Sequence, residues 1–319
     1  MNNRFMVRCL LFIIFIVLLV EQSQASLLFT TDMDLRYHNT DFTEHKAELH
    51  TIGVSFRKIF ADEMGDRIIL FLLAETMHNF KENMIDQGYL QYKGPLGKWN
   101  ITLGRYRLPF GLLANYSTDR LLIKTIEYET IGFCSDNGLQ ISGILKDFDY
   151  AISLSQGVGK HFKSIDIDNQ GLITFRVGYQ GVDFEDFRIG LSGLTGKIYQ
   201  EVDDKVGILN KKLLAIDIIK YSGRLVARSE FSYGKESEKT ILGVFSGVDY
   251  AILPKIDINT GYVLVRLNGD IEQHSLSLGL TYNIFPNLQV RIAGKIPIKN
   301  EGGKNELSLQ TYYVFARSF

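Results

Sequence analysis

Cysteine and proline are scarce in this chain of 319 residues, which contains two cysteines and five prolines. Cys9 lies in a leader described below, so cleavage would leave Cys134 alone, and a single thiol excludes an internal disulfide bond. We expect Cys134 to be inert. Aromatic residues and glycine are abundant instead, with 16 tyrosines, 21 phenylalanines and 29 glycines.

Long apolar runs and helical periodicity are nearly absent as well. One apolar run, residues 10–20, follows Arg4 and Arg8, and the small residues Ser23 and Ala25 come after it. This order predicts an export signal peptide, residues 1–25, and a single mature domain, residues 26–319. The alternative is a membrane anchor, but the run is shorter than the roughly twenty residues that a helix needs to cross a bilayer.

Neither sign of charge dominates. The chain has 35 basic and 36 acidic residues, and loss of the leader removes two basic residues and one acidic residue. This balance does not suggest a nucleic-acid partner.

Alternation of apolar and polar residues recurs along the chain. Met33 and Leu35 alternate with Asp32 and Asp34, and in a strand this places the charges on one face, because successive side chains point to opposite faces. Similar alternation is found at residues 173–180, 187–192, 225–233, 275–282 and 288–295.

These segments predict an all-β fold of about sixteen strands, with a range of 14–18. Short connections near residues 146–148, 181–183, 222–224, 253–254 and 285–287 alternate with long ones at 157–170, 195–210 and 297–305. Short turns on one rim and long loops on the other are typical of transmembrane antiparallel up-and-down barrels. The predicted strand centres are Leu28, Phe56, Leu70, Tyr89, Leu103, Ile141, Ile152, Phe175, Ile189, Ile216, Ala227, Val244, Tyr262, Leu278, Val290 and Tyr313.

Alternation alone does not distinguish a membrane barrel from a soluble β-sandwich, whose apolar face points inward. The export signal and the charge-bearing or glycine-bearing polar faces favour the barrel. So does the end of the chain, where Tyr313, Phe315 and the last residue, Phe319, share an aromatic pattern.

This last segment resembles the final strand of bacterial outer-membrane β-barrel proteins, although Arg317 stands where an apolar residue is usual. The resemblance implies recognition by the barrel-assembly machinery, and it implies outer-membrane lipid and lipopolysaccharide as surroundings.

A second resemblance starts at the end of the predicted fifth strand. Residues 104–111 read Gly-Arg-Tyr-Arg-Leu-Pro-Phe-Gly and resemble the Gly-Arg-Phe-Lys-x-Pro-Phe-Gly segment of the phosphate-selective (O/P-type) porins. Residues 136–140 and 147–151 look like the strand-turn-strand that follows in that family. The resemblance covers residues 103–156 and implies a passive channel, commonly of sixteen strands and trimeric, with its third loop, here about residues 107–136, folded inward.

The residue types in this segment have their own physical meaning. Arg105 and Arg107 share a strand face and could both point into a lumen, where guanidinium groups stay charged and hydrated. Pro109 lacks an N–H, and Gly111, like Gly104, tolerates unusual dihedral angles, so we expect the strand to end and turn here. Phe110 could pin the loop base to the wall.

Charges of both signs follow in the loop. Opposed charges across a narrow pore would favour small hydrophilic solutes or ions over apolar ones. The alternative is a solvated outer loop whose charges select nothing. Acidic residues slightly outnumber basic ones, so the family resemblance does not extend to phosphate selectivity. The charged candidates are Asp119, Arg120, Lys124, Glu127 and Glu129.

Two other functions are alternatives to the channel. A phospholipase-like enzyme would need a serine beside a histidine on the membrane-facing wall, but the neighbours His274 and Ser275 point to opposite strand faces. An adhesin or other structural barrel would be filled, whereas sixteen strands leave a bore wide enough for water. No Cys/His spacing fits zinc, so neither a metal nor a cofactor is expected.

Overall fold

The structure is a computed structural model that describes residues 26–41, 43–62, 65–116, 120–159, 171–180, 187–202, 205–298 and 304–319. The predicted signal peptide, residues 1–25, lies outside the described residues. No helix in the described ranges is both long and apolar enough to cross a membrane.

Within the described residues, sixteen antiparallel strands close into one barrel, in which each strand pairs with its neighbours in the chain and β16 pairs with β1. Every predicted strand centre falls inside a strand, in order, so the predicted fold class is confirmed. The strands are β1 Ser26–Thr40, β2 Glu44–Asp62, β3 Gly65–Met77, β4 Glu82–Lys93, β5 Asn100–Arg107, β6 Ser135–Leu145, β7 Phe148–Ser155, β8 Gly171–Gln180, β9 Phe187–Val202, β10 Lys205–Ser222, β11 Leu225–Glu236, β12 Lys239–Leu253, β13 Ile256–Leu267, β14 Asp270–Phe285, β15 Leu288–Pro297 and β16 Glu306–Ser318.

The outer face of the barrel is apolar. On β1, Met33 and Leu35 are exposed, whereas Asp32 and Asp34 between them are buried. A soluble β-protein would show the reverse, because water would drive its apolar face inward. The sandwich alternative is therefore wrong. Further exposed apolar side chains on the outer face include Leu103, Leu154, Leu214, Leu278 and Ile292.

One predicted connection is wrong. Residues 195–210 were expected to form a long loop, but β9 continues to Val202 and β10 begins at Lys205. Ile198 pairs with Leu209, and Tyr199 pairs with Ile208, so good strand-forming residues extend the hairpin. Both strands consequently extend into the region that was predicted to be a loop. This hairpin lies on the rim opposite the chain termini, which we call the long-loop rim.

The buried apolar core lies inside the barrel. It forms between the inner face of β8 to β13 and residues 108–134, which connect β5 to β6 and which we call the third-loop segment. This segment contains a 3-10 turn, Gly111–Ala114, and one short helix, α1, Glu127–Thr130. A second 3-10 turn, Pro95–Gly97, connects β4 to β5.

Candidate functional site: the third-loop segment and the bore

The third-loop segment leaves β5 through a run of buried residues. Phe110 is fully buried and packs with Leu113 in an apolar cluster that includes Leu194 and Leu213 of the wall. Leu112, also fully buried, belongs to a second cluster with Phe245. Removing these side chains from water holds the base of the segment on β9 to β12.

Gly111 allows the backbone to approach the wall closely. Its φ is +52°, and a Cβ atom there would lie 2.4 Å from the Oε2 atom of Glu230 on β11. The N–H of Leu112 donates to that same oxygen at 2.8 Å, and the N–H of Gly111 donates to Ser192 Oγ on β9 at 3.0 Å. Only glycine fits both the dihedral angle and the space.

The two arginines before this turn have separate surroundings. Arg105 is buried and donates to the backbone oxygens of Asp86, at 3.0 Å, and Gly159, at 2.6 Å, so it links β4 to the residues after β7. Gly104 beside it has a φ of +120°, and a Cβ there would lie 2.4 Å from the oxygen of Gly88. Arg105 therefore braces the wall.

Arg107, in contrast, lines a cavity of about 230 Å³ between the third-loop segment and the inner face of β6 to β8. Arg176 borders the same cavity and binds Asp149 at 2.6 Å and Asp217 at 2.8 Å. The cavity is thus bordered by charges of both signs. Its lining also includes Pro109, Ala114, Asn115, Gln140 and Ser142.

Beyond its base the segment follows the wall. The ring of Tyr116 lies 4.0 Å from the guanidinium carbon of Arg228 on β11, which also binds Asp249. Burial raises the pKa of Tyr116 to about 12, because the phenolate would lose its hydration. Tyr116 therefore stays neutral across the physiological range.

Arg120 joins the segment to the opposite wall. Its guanidinium binds Asp32 on β1 at 2.5 Å and Glu75 on β3 at 2.6 Å. Its backbone oxygen accepts hydrogen bonds from Arg291 Nη1 at 2.7 Å and Gln310 Nε2 at 3.2 Å. Strands β2 and β10 are eight places apart in a ring of sixteen, so contacts on β9 to β11 and on β1 to β3 connect opposite sides of the bore.

The guanidinium of Arg120 stays protonated. Burial by itself would lower its pKa, but the negative charges of Glu75 and Asp32 outweigh that effect and raise the pKa above its ordinary value. From the sequence alone, we expect acidic residues of its own loop to lie opposite Arg120. The structure pairs it with wall carboxylates, of which Glu75 could have been noticed as a lone charge in the apolar run of β3.

The part of the third-loop segment that leads back to β6 is held by hydrogen bonds to its backbone oxygens. Lys211 of β10 is buried, binds Glu236 at 2.6 Å and donates to the oxygens of Thr130, at 2.7 Å, and Ile131, at 3.2 Å. A lysine at the carboxyl end of α1 satisfies carbonyls that the helix leaves without partners.

The remaining predicted loop charges are dispersed. Glu127 is buried at the start of α1, near enough to Glu230 for their charges to interact. Lys124 is half-buried and Glu129 is exposed. Asp119 lies outside the described residues.

The carboxyl-terminal aromatics are on the outer face. Tyr313, Phe315 and Phe319 are exposed, and Phe319 exchanges two backbone hydrogen bonds with Leu27 of β1, at 2.9 and 3.2 Å. The guanidinium of Arg317 lies 5.0 Å from the ring centroid of Phe319. The chain end therefore sits at the β1–β16 seam that closes the barrel.

Two polar groupings near the long-loop rim were not visible in the sequence. His38 Nδ1 lies 2.8 Å from Ser308 Oγ, because β1 pairs with β16. Glu48, His50 and His78 form a cluster whose nitrogen and oxygen atoms lie within 4.8 Å of one another. Both groupings depend on strand pairing, which local sequence spacing does not reveal.

No protein-family model matches the chain, and no curated protein matches it in sequence. Solved structures do match its fold. They include OmpF of Salmonella typhi in complex with daunomycin (13% identity, TM-score 0.71, 91% of this chain and 97% of that one). OmpT, an outer membrane protein of Vibrio cholerae in a trimer form, has 11% identity and a TM-score of 0.69 over 91% of this chain and 99% of that one.

An anion-selective porin from Comamonas acidovorans has 11% identity and a TM-score of 0.64, covering 93% of this chain and 100% of that one. At such low identity the likeness shows the fold alone. The chain has the sixteen-stranded barrel fold of bacterial outer-membrane porins.

Proposed function

We propose that this protein is an outer-membrane porin, a passive diffusion channel for small hydrophilic solutes or ions. The third-loop segment narrows its bore in size and charge. The observation that carries the proposal is the span of that segment, from its apolar base on β9 to β12 to the Arg120 ion pairs on β1 and β3. We take the polar cavity beside that segment as part of the solute path.

The apolar outer face supports a position in the outer membrane, because only a lipid surround would favour so many exposed apolar side chains. The polar cavity beside Arg107 supports passage of hydrated solutes. No described residue needs to perform covalent chemistry for such a function.

The resemblance of residues 104–111 to O/P-type porins stays a prediction, and we extend it to fold and channel type without phosphate selectivity. A homotrimer also belongs to the proposal, in keeping with the trimer form of the Vibrio cholerae neighbour. Recognition by the barrel-assembly machinery and contact with lipopolysaccharide follow from the proposed location.

The decisive test is single-channel recording of refolded residues 26–319 in a planar bilayer. We expect stable ohmic steps. Ala114→Cys, which introduces a thiol into the cavity lining, should lose a large share of its conductance when a bulky charged thiol reagent is added. Lys146→Cys, in the β6–β7 turn at the short-turn rim, is the matched control and should keep its conductance.

Wild-type protein treated with the same reagent sets the baseline for Cys134, which is buried. A correctly folded barrel that gives no current would refute the channel. Current that the reagent leaves unchanged in Ala114→Cys would place the conducting path away from the third-loop segment.

The enzyme alternative has no comparable support. The contact between His38 and Ser308 lies on the inner wall, and Ser308 is buried with its hydroxyl 2.6 Å from Glu306 Oε1. A phospholipase would need this pair on the outer face.

A further inference from the structure

Three side chains with metal-binding atoms converge on the inner wall at the long-loop rim. Glu48 Oε1 lies 3.1 Å from His50 Nδ1, and Glu48 Oε2 lies 3.7 Å from His78 Nδ1. Glu48 is buried, and the two histidines are partly exposed toward the bore. A carboxylate and two imidazoles are thus gathered around one point that solvent can reach.

The backbone shapes this arrangement. Opposite β2, Asp34 pairs with Thr51 and Leu35 pairs with Leu49, so His50 occupies a β-bulge, which re-aims its side chain. His78 opens the β3–β4 turn with a φ of +52°, and its N–H donates to the His50 oxygen at 3.0 Å. Two irregular backbone positions therefore bring these imidazoles together.

The distances suit a tetrahedral transition-metal site. Zinc binds histidine nitrogen and carboxylate oxygen at about 2.0–2.2 Å, so neighbouring ligand atoms of a tetrahedron lie about 3.3–3.6 Å apart. One ligand atom from each of Glu48, His50 and His78 lies within 4.8 Å of the other two, so small side-chain rotations bring them to those separations. Imidazole nitrogen favours zinc, copper or nickel over calcium or magnesium.

A further imidazole adjoins the cluster with its own support. His38 Nε2 lies 4.0 Å from Glu48 Oε1, while His38 Nδ1 lies 2.8 Å from Glu306 Oε1. A histidine whose other ring nitrogen bonds a carboxylate is the usual arrangement around protein-bound zinc, because the carboxylate fixes the ring and its tautomer.

We propose that Glu48, His50 and His78, with His38 as a fourth ligand, bind a divalent transition-metal cation such as Zn²⁺ at the mouth of the barrel. The site would tie β1, β2 and the β3–β4 turn together. It stands independently of channel activity, because it rests on ligand geometry alone.

Neighbouring cations oppose this binding. Lys46 Nζ lies 2.5 Å from Glu48 Oε2, and Arg36 and Lys124 lie within electrostatic reach of His50. The side chain of Lys46 is 64% exposed, so it can swing into solvent when a metal takes its place. Arg36 is already bound to Asp34 at 2.6 Å.

The test is calorimetric titration of Zn²⁺ into refolded protein that carries no polyhistidine tag. We expect one Zn²⁺ per barrel, and Co²⁺ should give the visible absorption bands of a tetrahedral site. His78→Asn suits the positive φ, because asparagine tolerates that conformation, and it should weaken binding at least tenfold. Glu48→Gln should have an effect of similar size, and Lys46→Met should strengthen binding several-fold.

His45→Asn is the matched control. His45 is on the same strand, but its ring contacts the Tyr37 hydroxyl at 2.7 Å and is exposed. Zinc affinity should not change in this variant. Equal affinity in wild type and His78→Asn, or an equal loss in His45→Asn, would overturn the site. Heat-modified migration on gels verifies folding, and if Glu48→Gln does not fold, His78→Asn decides alone.

Discussion

The inner wall of the barrel has two unlike halves. Strands β8 to β13 carry most of the buried apolar side chains of the interior, beside single charged residues such as Arg176 and Glu230, whereas β1, β15 and β16 present mainly charged and amide side chains and β3 contributes Glu75. The third-loop segment contacts both halves. The apolar half includes Leu172, Leu194, Leu213, Ile219 and Phe245, and the polar half includes Asp32, Asp34, Glu75, Arg291 and Gln310.

The two halves contribute differently. Burying one large apolar side chain stabilises a fold by about 1.5–3 kcal/mol, whereas in a largely buried ion pair the cost of removing the charges from water offsets much of their attraction. Apolar packing therefore determines where the segment lies. The ion pairs of Arg120, whose side chain is 19% exposed, contribute less to stability, but they would set the electric field beside the proposed path.

The largest effect is expected from removing the apolar anchor. Phe110→Ala should lower the free energy of unfolding by about 3–5 kcal/mol, because it removes a fully buried ring and leaves a cavity. With its base loosened, the segment should also leave the bore wider, so conductance should rise. Urea unfolding in detergent and single-channel recording measure the two effects.

Phe148→Ala is the control, because Phe148 lies on the outer face and is 49% exposed; conductance should stay at the wild-type value. A Phe110→Ala protein that is less stable but conducts like wild type would separate packing from pore size and contradict our view of the apolar half.

Gly111→Ala tests the close approach of the segment to the same half. We expect a loss of about 2–3 kcal/mol, from the left-handed dihedral angle and from the clash with the Glu230 carboxylate. Gly223→Ala is a matched control, because Gly223 has a similar φ of +57° and a Cβ there would meet nothing within 4 Å. Urea midpoints measure both variants. Equal losses would show that the clash has no energetic consequence.

A smaller effect on stability should come from raising the pH, through Tyr116 of the third-loop segment. The pKa of Tyr116 is raised to about 12 in the folded protein, against about 10 for an unperturbed tyrosine, so the unfolded chain loses this proton first. The associated stability is intact below pH 10 and declines as pH rises from 10 to 12.

Tyr116→Phe removes this dependence. Relative to the difference at pH 8, the variant should gain about 1.4 kcal/mol on wild type at pH 11. Unfolding curves at the two pH values give that number, and parallel behaviour of the two proteins would show that Tyr116 is not buried as described.

The smallest effect concerns ion preference in the polar half. Arg120→Met leaves Asp32 and Glu75 without their cation and should shift permeability toward cations about threefold, a change of about 0.7 kcal/mol. The paired variant Asp32→Asn with Glu75→Gln should shift it toward anions. Reversal potentials in a salt gradient report both, with Arg224→Met at the short-turn rim as control. Shifts of the same sign would refute the assigned field.

Much of this architecture could be predicted from the sequence. Successive side chains of a strand point to opposite faces, so a strand between lipid and the barrel interior alternates apolar and polar residues. This alternation identified all sixteen strand centres, from Leu28 to Tyr313, correctly. The turn at Pro109 and Gly111 was also predictable, because proline lacks a donor and glycine accepts positive φ. The prediction of a long loop at residues 195–210 was wrong because strand-forming residues continue through that region.

Sequence alternation was less informative for the inner wall. On β10, Leu213, Ala215 and Ile219 face inward while Leu214 and Ile216 face outward, so this stretch is apolar on both faces. Such a run signals a strand covered on both sides, but it does not identify what covers the inner side.

The sequence by itself determined the strands, their order and the apolar outer face, because each depends on residues close together in the chain. Only the tertiary structure decided the ion-pair partners of Arg120 and the clustering of Glu48, His50 and His78. It also decided on which apolar wall residues the third-loop segment packs. Those contacts join residues far apart in sequence, and closing the barrel brings them within reach, since pairing of β16 with β1 fixes which inner faces oppose one another.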